Sequence, residues 1–318
     1  MAIYSYISLV IGVVAVLANG GSLYVFKRMK MISKTVTHSL LFHQSVIDCL
    51  SALLFLPFYP LSELFGIWQD NDAFCKCRGV YWILAVTSTA NMIYLSIERY
   101  YAIVRPMRHL ILFKGRALPV ALPVTYLAGF ICSVHAFIVS ESDPVQKVCV
   151  YNWNGNDTLK LGHGVFIFII EWIIPTTIFI YVHSKIYLTL KAHARSESAT
   201  MSMPNTSTEN VNNALNKCLV SIVLVIFVTY LVCWTPKIFL YLLENCGVKI
   251  NSYLNQFSVL LLTSNLCWNP FIYTFKYKEF NQGVTRIWNE VIRRKPKMKS
   301  YVSHVYGNKT QVISVSEE

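Results

Sequence analysis

Charged residues are scarce in this chain of 318 residues, at 14% of the sequence. Soluble domains carry about a quarter of their residues as Asp, Glu, Lys or Arg, so this chain has too few to cover a soluble surface of its size. Intrinsic disorder is excluded as well, because disordered chains are rich in charge and poor in apolar residues, whereas 54% of this chain is apolar. Together with a mean hydropathy of +0.45, this composition indicates a protein that crosses a membrane several times.

Acidic residues are particularly few, at 16 against 28 Lys and Arg, which leaves a net charge of +12. In a soluble protein such an excess would suggest nucleic-acid binding. Here the basic residues lie between apolar runs, so we interpret them as topology signals and predict no nucleic-acid partner. Most of them fall in the first, third and fifth connections and in the tail. The N-terminus is therefore predicted to be extracellular and the C-terminus cytoplasmic.

The apolar residues are grouped into runs of about 20, the length that crosses a hydrocarbon core. Such runs are expected to be helices, because lipid offers the backbone no hydrogen-bond partner. The predicted fold class is an all-α membrane protein, a seven-transmembrane helix bundle. The predicted spans are 3–26, 40–61, 80–104, 117–140, 161–190, 218–243 and 250–275.

After the seventh span, apolar residues recur at helical spacing among Lys and Arg. This pattern predicts a short amphipathic eighth helix at 277–292, lying on the inner leaflet. The membrane domain then covers 1–292. The polar tail 293–318 is predicted to be cytoplasmic and disordered.

Polar, proline and aromatic residues inside the spans form short motifs. In chain order they are Asn19, Asp48, Glu98-Arg99-Tyr100, Cys233-Trp234-Thr235-Pro236 and Asn269-Pro270-Phe271-Ile272-Tyr273. Their identity and order resemble the rhodopsin-like (class A) G-protein-coupled receptors over about 3–291. In its general sequence character, the chain is most similar to invertebrate peptide-receptor-like members of the family. The resemblance implies a plasma-membrane receptor that binds an extracellular ligand, which could be a peptide, and activates a heterotrimeric G protein. Arrestin and a receptor kinase are the further partners it implies.

The resemblance also implies which residues form the G-protein-coupling switch: Glu98, Arg99, Tyr100, Trp234, Pro236, Asn269, Pro270 and Tyr273. The two prolines permit kinks and hence hinges. Many members restrain the arginine with an acid near the start of the sixth helix, but 211–220 contains no Asp or Glu. We therefore predict a weak restraint and perceptible basal activity. His183 stands where most members have a tyrosine, and Tyr187, one turn on, is a candidate substitute.

An acid in mid-membrane is a functional candidate by default, and Asp48 is such an acid. By resemblance, Asp48, Ser88, Asn265 and Asn269 would surround an allosteric sodium ion. Leu266 departs from the serine that many members have. The alternative is a protonated Asp48 that is hydrogen-bonded to Asn269. We predict no metal site besides this one.

The family bridges the top of the third helix to the second extracellular loop by a disulfide. Cys75–Cys149 is the first choice for that bridge, with Cys77–Cys149 as the alternative.

Asn156-Asp157-Thr158 is a glycosylation sequon in a predicted extracellular connection, so Asn156 is expected to carry a glycan.

The ligand pocket implied by the resemblance includes Tyr81, Trp82, Glu171, Lys237 and Tyr241. Glu171 and Lys237 are hypothesised to form an ion pair that an acidic or zwitterionic ligand would open or join. The alternative is a pair that merely neutralises itself. The extracellular connections are mildly acidic, which would steer a basic peptide toward the receptor.

For two classes of ligand, this sequence lacks the residue that binds the ligand in the family. Tyr81 stands where biogenic-amine receptors carry an aspartate, so a cationic amine would lack its counter-ion. Thr263 stands where opsins carry the lysine that attaches retinal, so no retinal Schiff base is expected there.

The rival functions are a non-signalling scavenger or heterodimer partner with the receptor fold, and a non-retinal opsin relative. A transporter is disfavoured because three spans carry no charge and no internal repeat is visible, and no catalytic cluster suggests an enzyme.

Overall fold

The computed structural model describes the chain except for residues 1, 33, 69, 114–116, 144, 146–147, 200–206, 293–304, 307–308 and 311–318. In chain order the described elements are α1 Ala2–Arg28, α2 Val36–Leu56, α3 Ser62–Phe65, α4 Asp72–Cys77, α5 Gly79–Val104, α6 Pro106–Leu112, α7 Ala117–Ser133, α8 His135–Val139, β1 Ser140–Asp143, β2 Val148–Tyr151, α9 Asp157–Phe168, α10 Ile174–Ala199, α11 Ser207–Asn245, α12 Ser252–Lys276, α13 Lys278–Ile292, β3 Val305–Tyr306 and β4 Lys309–Thr310. Two π-helical turns, Pro57–Leu61 and Ile169–Ile173, follow α2 and α9.

The predicted seven-helix bundle is confirmed. Six helical segments are long and apolar enough to cross a membrane: Ile3–Arg28, Val36–Phe65, Asp72–Val104, Pro119–Val139, Asp157–Ala192 and Cys218–Asn245. The seventh, α12, packs against α1, α2 and α11. It contains several Asn, Ser and Thr residues, and the side chains of Ser258, Thr263 and Asn269 are buried. Inward-facing polar residues therefore account for its lower hydropathy.

The eighth helix is α13, which starts after a single non-helical residue and contacts α1 and α12. Gly283 permits the close approach to α1, because a Cβ there would lie 2.9 Å from the Met29 side chain. Lys34 and Glu279 add an exposed ion pair of 2.9 Å between the first connection and α13. The hydrogen bond from the Lys34 ammonium lowers the pKa of the Glu279 carboxyl.

The predicted sixth span, 218–243, agrees with the apolar segment Cys218–Asn245, and the helix that contains it begins earlier, at Ser207. One element was not predicted from the sequence. The connection between the fourth and fifth spans contains an antiparallel hairpin, in which Ser140 pairs with Tyr151 and Asp143 with Val148. The tail at 293–318, predicted to be disordered, lies outside the described residues apart from the two short strands β3 and β4.

A hydrogen bond missing within α12 is replaced by one from α1. Pro270 has no N–H, so the carbonyl of Leu266, four residues earlier, loses its helical partner. The buried amide of Asn19 donates to that carbonyl at 2.8 Å and to the carbonyl of Ala15 at 2.9 Å. Asn19 thus joins α1 to the seventh helix at its proline.

Helices α5 and α7 cross at unusually short range. A Cβ on Gly129 of α7 would lie 2.3 Å from Oγ1 of Thr87 and 2.5 Å from the carbonyl oxygen of Ile83. Only glycine allows this approach. The crossing fixes α5, which lines the sites at both ends of the bundle.

Candidate functional site

A cavity of about 550 Å³ opens between the helices on the side of the β1–β2 hairpin. All five residues predicted for the ligand pocket line it: Tyr81, Trp82, Glu171, Lys237 and Tyr241. They come from α5, from the π turn Ile169–Ile173 and from α11. A cavity of this size accommodates a small ligand or the end of a larger one.

Aromatic rings form one wall of this cavity. The ring of Tyr81 lies 5.8 Å from Phe55, 5.3 Å from Tyr59 and 5.4 Å from Trp82, all measured between ring centroids. Trp234 lines the cavity more deeply and lies 5.4 Å from the buried ring of Tyr230. Such edge-to-face and tilted contacts hold aromatic side chains in place.

The hypothesised ion pair between Glu171 and Lys237 is not formed in the described part of the chain. The ammonium of Lys237 donates to Oδ1 of Asn255 at 2.7 Å. Glu171 is buried, and its main-chain carbonyl accepts from the hydroxyl of Tyr230; Pro175, four residues on, has no N–H to donate to it. The prediction was wrong because a sequence does not specify how far apart facing side chains of neighbouring helices lie.

Two histidines were missed by sequence reasoning. His135 and His163 line the cavity with ring centroids 3.9 Å apart. The Nδ1 atom of His135 hydrogen-bonds to the Cys132 carbonyl at 3.0 Å, and that of His163 to the Tyr241 hydroxyl at 3.0 Å. Nε2 of His163 is buried without a partner among the described residues. It is therefore a polar group that a ligand in the cavity can satisfy.

The hairpin is fastened over the cavity by a disulfide. Cys75 and Cys149 are bonded, with Cα atoms 5.4 Å apart, and the alternative Cys77 is a free, exposed thiol. The backbone N–H of Ser142 in β1 also donates to Asp72 of α4 at 2.7 Å. The two contacts hold both strands of the hairpin in place, and β2 supplies cavity-lining residues.

At the opposite end of α5, Arg99 is almost fully buried against its neighbour. Its Nε and Nη2 atoms lie 2.6 and 2.5 Å from the two oxygens of Glu98. Glu98 also accepts from Oγ1 of Thr37 at 2.8 Å and contacts Nε2 of His109 at 2.9 Å. Charged groups at this depth are tolerated only when paired and hydrogen-bonded in this way. Thr37 and His109 were not anticipated from the sequence.

Among the described residues, the side chains that contact the Glu98–Arg99 pair come from α5, α2 and α6. The side chains at 211–217, at the start of α11, lie outside the described residues, so the prediction of basal activity stays a prediction. His183 of α10 is stacked near Phe179 and Phe227, with centroids 6.1 and 6.4 Å away. Tyr187 is 62% exposed. It faces away from the bundle and is not placed to substitute for the missing tyrosine.

The other predicted switch residues lie along α11, α12 and α5. Tyr273 is fully buried, with its ring 5.9 Å from Phe26 of α1 and 5.8 Å from Phe280 of α13. Tyr100 lies next to Arg99 with its ring 6.3 Å from Tyr181 of α10. Tyr273 therefore connects the seventh helix to both α1 and α13.

The residues predicted to hold sodium are only partly brought together. Asp48 accepts from Oγ of Ser88 at 3.0 Å and from Nδ2 of Asn269 at 2.6 Å. Asn265 is half-buried one turn earlier and is not hydrogen-bonded to Asp48 in the described part of the chain. The side-chain amide of Gln44 lies beside both Asp48 and Ser88 and hydrogen-bonds to each of them. As arranged, this set of groups does not fit a cation, because the amide nitrogens of Gln44 and Asn269, and not their oxygens, face Asp48.

Asn156 stands at the N-cap of α9, where its Oδ1 accepts from the N–H of Leu159 at 2.9 Å. Its side chain is exposed, as a glycan would require. Glycosylation stays a prediction that removal of N-glycans and an Asn156→Gln variant would test.

Comparison with known proteins gives matches along most of the chain. The family model for 7 transmembrane receptors (rhodopsin family) matches residues 18–273. The compound eye opsin BCRH2 of Hemigrapsus sanguineus is 23% identical over 88% of this chain and 77% of its own length. The tachykinin-like peptides receptor 99D of Drosophila melanogaster is 23% identical over 88% and 56%. The somatostatin receptor type 2 of Sus scrofa is 23% identical over 90% and 77%.

Among solved structures, squid rhodopsin superposes with a TM-score of 0.75 at 20% identity, over 91% of this chain and 85% of the other. This likeness supports the fold. The family model covers well over half of the chain. The chain therefore belongs to the rhodopsin family of seven-transmembrane receptors.

Proposed function

We propose that this chain is a plasma-membrane receptor with an extracellular N-terminus and a cytoplasmic C-terminus. An extracellular ligand enters the cavity, and the cytoplasmic face around Arg99 activates a heterotrimeric G protein. The observation that carries the proposal is that α5 lines both sites. Trp82 of the cavity and Arg99 of the buried pair lie about 26 Å apart along this helix, at about 1.5 Å per residue.

Signalling in this scheme is a shift between two arrangements of the bundle. A ligand that binds one arrangement more tightly raises its population. Trp234 is in contact with the cavity, and Pro236, two residues on in α11, supplies a kink. In the receptive arrangement Arg99 leaves Glu98 and meets the G protein.

The test is G-protein activation in cells, measured across the G-protein families for the wild type and for Arg99→Ala. We expect a basal or ligand-induced signal that the variant loses. Arg286→Ala, an exposed arginine on α13, is the matched control and should leave the signal unchanged. Surface expression is measured in parallel. A surface-expressed wild type that stays silent with every G protein and every ligand tested would contradict the proposal and favour a scavenger or heterodimer partner.

The charges of the cavity favour a ligand with an acidic group. Lys237 is half-buried and its described partner, Asn255, is neutral. Arg78 and Lys160 also line the cavity, against two acids, Glu171 and Glu244. A ligand carboxylate can provide Lys237 with the charged partner that it lacks.

We therefore propose a peptide with a free carboxyl terminus as the ligand. One relative above is named as a receptor for tachykinin-like peptides and another as a somatostatin receptor. The mildly acidic extracellular connections would steer the basic part of a peptide. The test is a library in which each peptide is present as free acid and as C-terminal amide. Acids should be preferred by the wild type, and Lys237→Gln should lose the preference. Lys249→Gln, an exposed lysine outside the cavity, should keep it. Preference for amides would contradict this ligand class.

The opsin relatives raise a second candidate function, light detection, which we do not favour. Thr263 lines the cavity, and its hydroxyl is bonded to the carbonyls of Val259 and Leu260 at 3.0 and 3.1 Å. It has no amine to form a Schiff base. Purified receptor incubated with retinal should show no shifted absorbance that resists denaturation; such a band would contradict the peptide proposal.

We further propose arrestin and a receptor kinase as cytoplasmic partners. The proposed orientation is tested by an N-terminal epitope tag, which antibody should reach on intact cells, and by a C-terminal tag, which it should reach only after permeabilisation.

A further inference from the structure

A buried glutamine, Gln44, is the least expected member of the polar cluster around Asp48. It lies one turn before Asp48 on α2, and only 3% of the residue is exposed. Its Nε2 atom is 3.1 and 3.3 Å from the two oxygens of Asp48 and 2.5 Å from Oγ of Ser88. The amide nitrogen thus contacts two of the groups that would ligate a cation.

The orientation of this amide is fixed by its surroundings. Nδ2 of Asn91 donates to the main-chain carbonyl of Leu40 at 3.3 Å and to Oε1 of Gln44 at 2.7 Å. A main-chain carbonyl can only accept, so the nitrogen end of Asn91 must face Leu40. The oxygen end of Gln44 must then face Asn91, and its nitrogen end must face Asp48. His43 contacts the remaining oxygen of Asn91 at 3.2 Å.

Hydrogen-bond donors from three helices surround Asp48 in this arrangement. A carboxylate offers about four lone-pair sites. Both oxygens of Asp48 are contacted by Gln44, one also accepts from Ser88 at 3.0 Å, and the other also accepts from Asn269 at 2.6 Å. The donors come from α2, α5 and α12. An N–H group carries partial positive charge toward Asp48 and would repel a cation in the same place.

We infer that the amide of Gln44 occupies, in this receptor, the position that a sodium ion would need, and that the Asp48 cluster does not bind sodium. Leu266 contributes to the same result, because its side chain has no oxygen to offer. Helices α2, α5 and α12 are thereby joined through a side chain that stays in place, whereas an ion could leave. The stability of this receptor therefore does not depend on specific binding of sodium, and sodium chloride acts on it only through ionic strength.

The experiment is thermal unfolding of the purified full chain in detergent, followed by tryptophan fluorescence. Sodium chloride is titrated against N-methylglucamine chloride at constant ionic strength, which removes general screening. The wild-type Tm is expected not to change. Gln44→Leu removes the donor and keeps the approximate volume, so sodium should then raise Tm saturably, as any ligand that binds only the native state does.

Two controls isolate the site. Gln256→Leu, a half-buried glutamine of α12, should leave the receptor without a sodium response. Adding Asp48→Asn to Gln44→Leu should abolish the response. A saturable sodium-dependent rise in the wild type that Asp48→Asn removes would overturn the inference. Absence of a response in Gln44→Leu as well would overturn the assignment of the exclusion to Gln44.

If Gln44→Leu fails to fold, Gln44→Met takes its place, and the wild-type titration decides the main point without either. The readout needs neither a ligand nor a G protein. Its outcome is therefore independent of the function proposed above.

Discussion

Thr37→Val tests whether the buried pair at Arg99 restrains the receptor. Thr37 is fully buried, and its hydroxyl donates a hydrogen bond to Glu98, which among the described contacts also accepts from His109 and from two nitrogens of Arg99. Valine has nearly the same shape and lacks the hydroxyl. The substitution therefore removes this bond and leaves Glu98 and Arg99 themselves unchanged.

The magnitude follows from the charge of the acceptor. A hydrogen bond to a charged group contributes about 1.5–3 kcal/mol. In the receptive arrangement Arg99 leaves Glu98, and we assume that Thr37 and Glu98 then separate as well. Loss of the bond should then shift the equilibrium toward the receptive arrangement by about tenfold to a hundredfold. Glu98→Gln removes the charge itself and should act at least as strongly.

The assay is basal G-protein activation in membranes, normalised to the amount of receptor at the cell surface. Thr125→Val, which removes a part-buried threonine hydroxyl of α7 bonded to the Leu122 carbonyl, is the matched control and should leave basal activity unchanged. If neither Thr37→Val nor Glu98→Gln raises basal activity while both are expressed, Glu98 does not restrain Arg99. A rise in Thr125→Val would show instead that general destabilisation is being measured.

Three further substitutions test the fold. Gly129→Ala should lower the free energy of unfolding by about 1–3 kcal/mol, because its Cβ would lie 2.5 Å from a main-chain oxygen of α5. The control Gly162→Ala places its Cβ where no atom lies within 4 Å, so it should leave stability unchanged. Thermal unfolding of both variants tests this difference. Cys75→Ser should reduce surface expression and Cys77→Ser should not; the reverse result would favour the other pairing. Asn19→Ala leaves the buried carbonyl of Leu266 without this hydrogen-bond partner, so it should lower the free energy of unfolding by about 1–3 kcal/mol. An unchanged Tm would refute this role of Asn19.

The helices could be predicted from the sequence because lipid imposes one requirement on every span. Apolar runs of sufficient length must be helical, so 80–104 and 250–275 agree with α5 and α12 within two residues. The hairpin after α8 could not be predicted in the same way. It lies outside the apolar runs, and its pairing depends on the disulfide and on contacts with α4.

The pocket residues were predicted better than their partners. Membership of the cavity follows from the position of a residue along its helix, which the motifs fix. Pairing depends on distances between helices, so Lys237 bonds to Asn255 and not to Glu171. Gln44 was missed for the same reason. Its place four residues before Asp48 puts both on one face of α2, but its role depends on Asn91 and Ser88 of α5.

The π turn Ile169–Ile173 has a consequence for how this receptor is aligned with its relatives and for how its ligand cavity can evolve. A π turn contains one residue more than an α-helical path of the same length, and each residue turns a helix by about 100°. Deleting one residue there would restore the α-helical path and rotate the segment above it, with Lys160 and His163, by about that angle. The half of the helix below, toward the cytoplasm, would keep its contacts. One codon gained or lost could thus change ligand selectivity without affecting coupling. An ungapped alignment through this turn would assign the cavity positions of such a relative to the wrong residues.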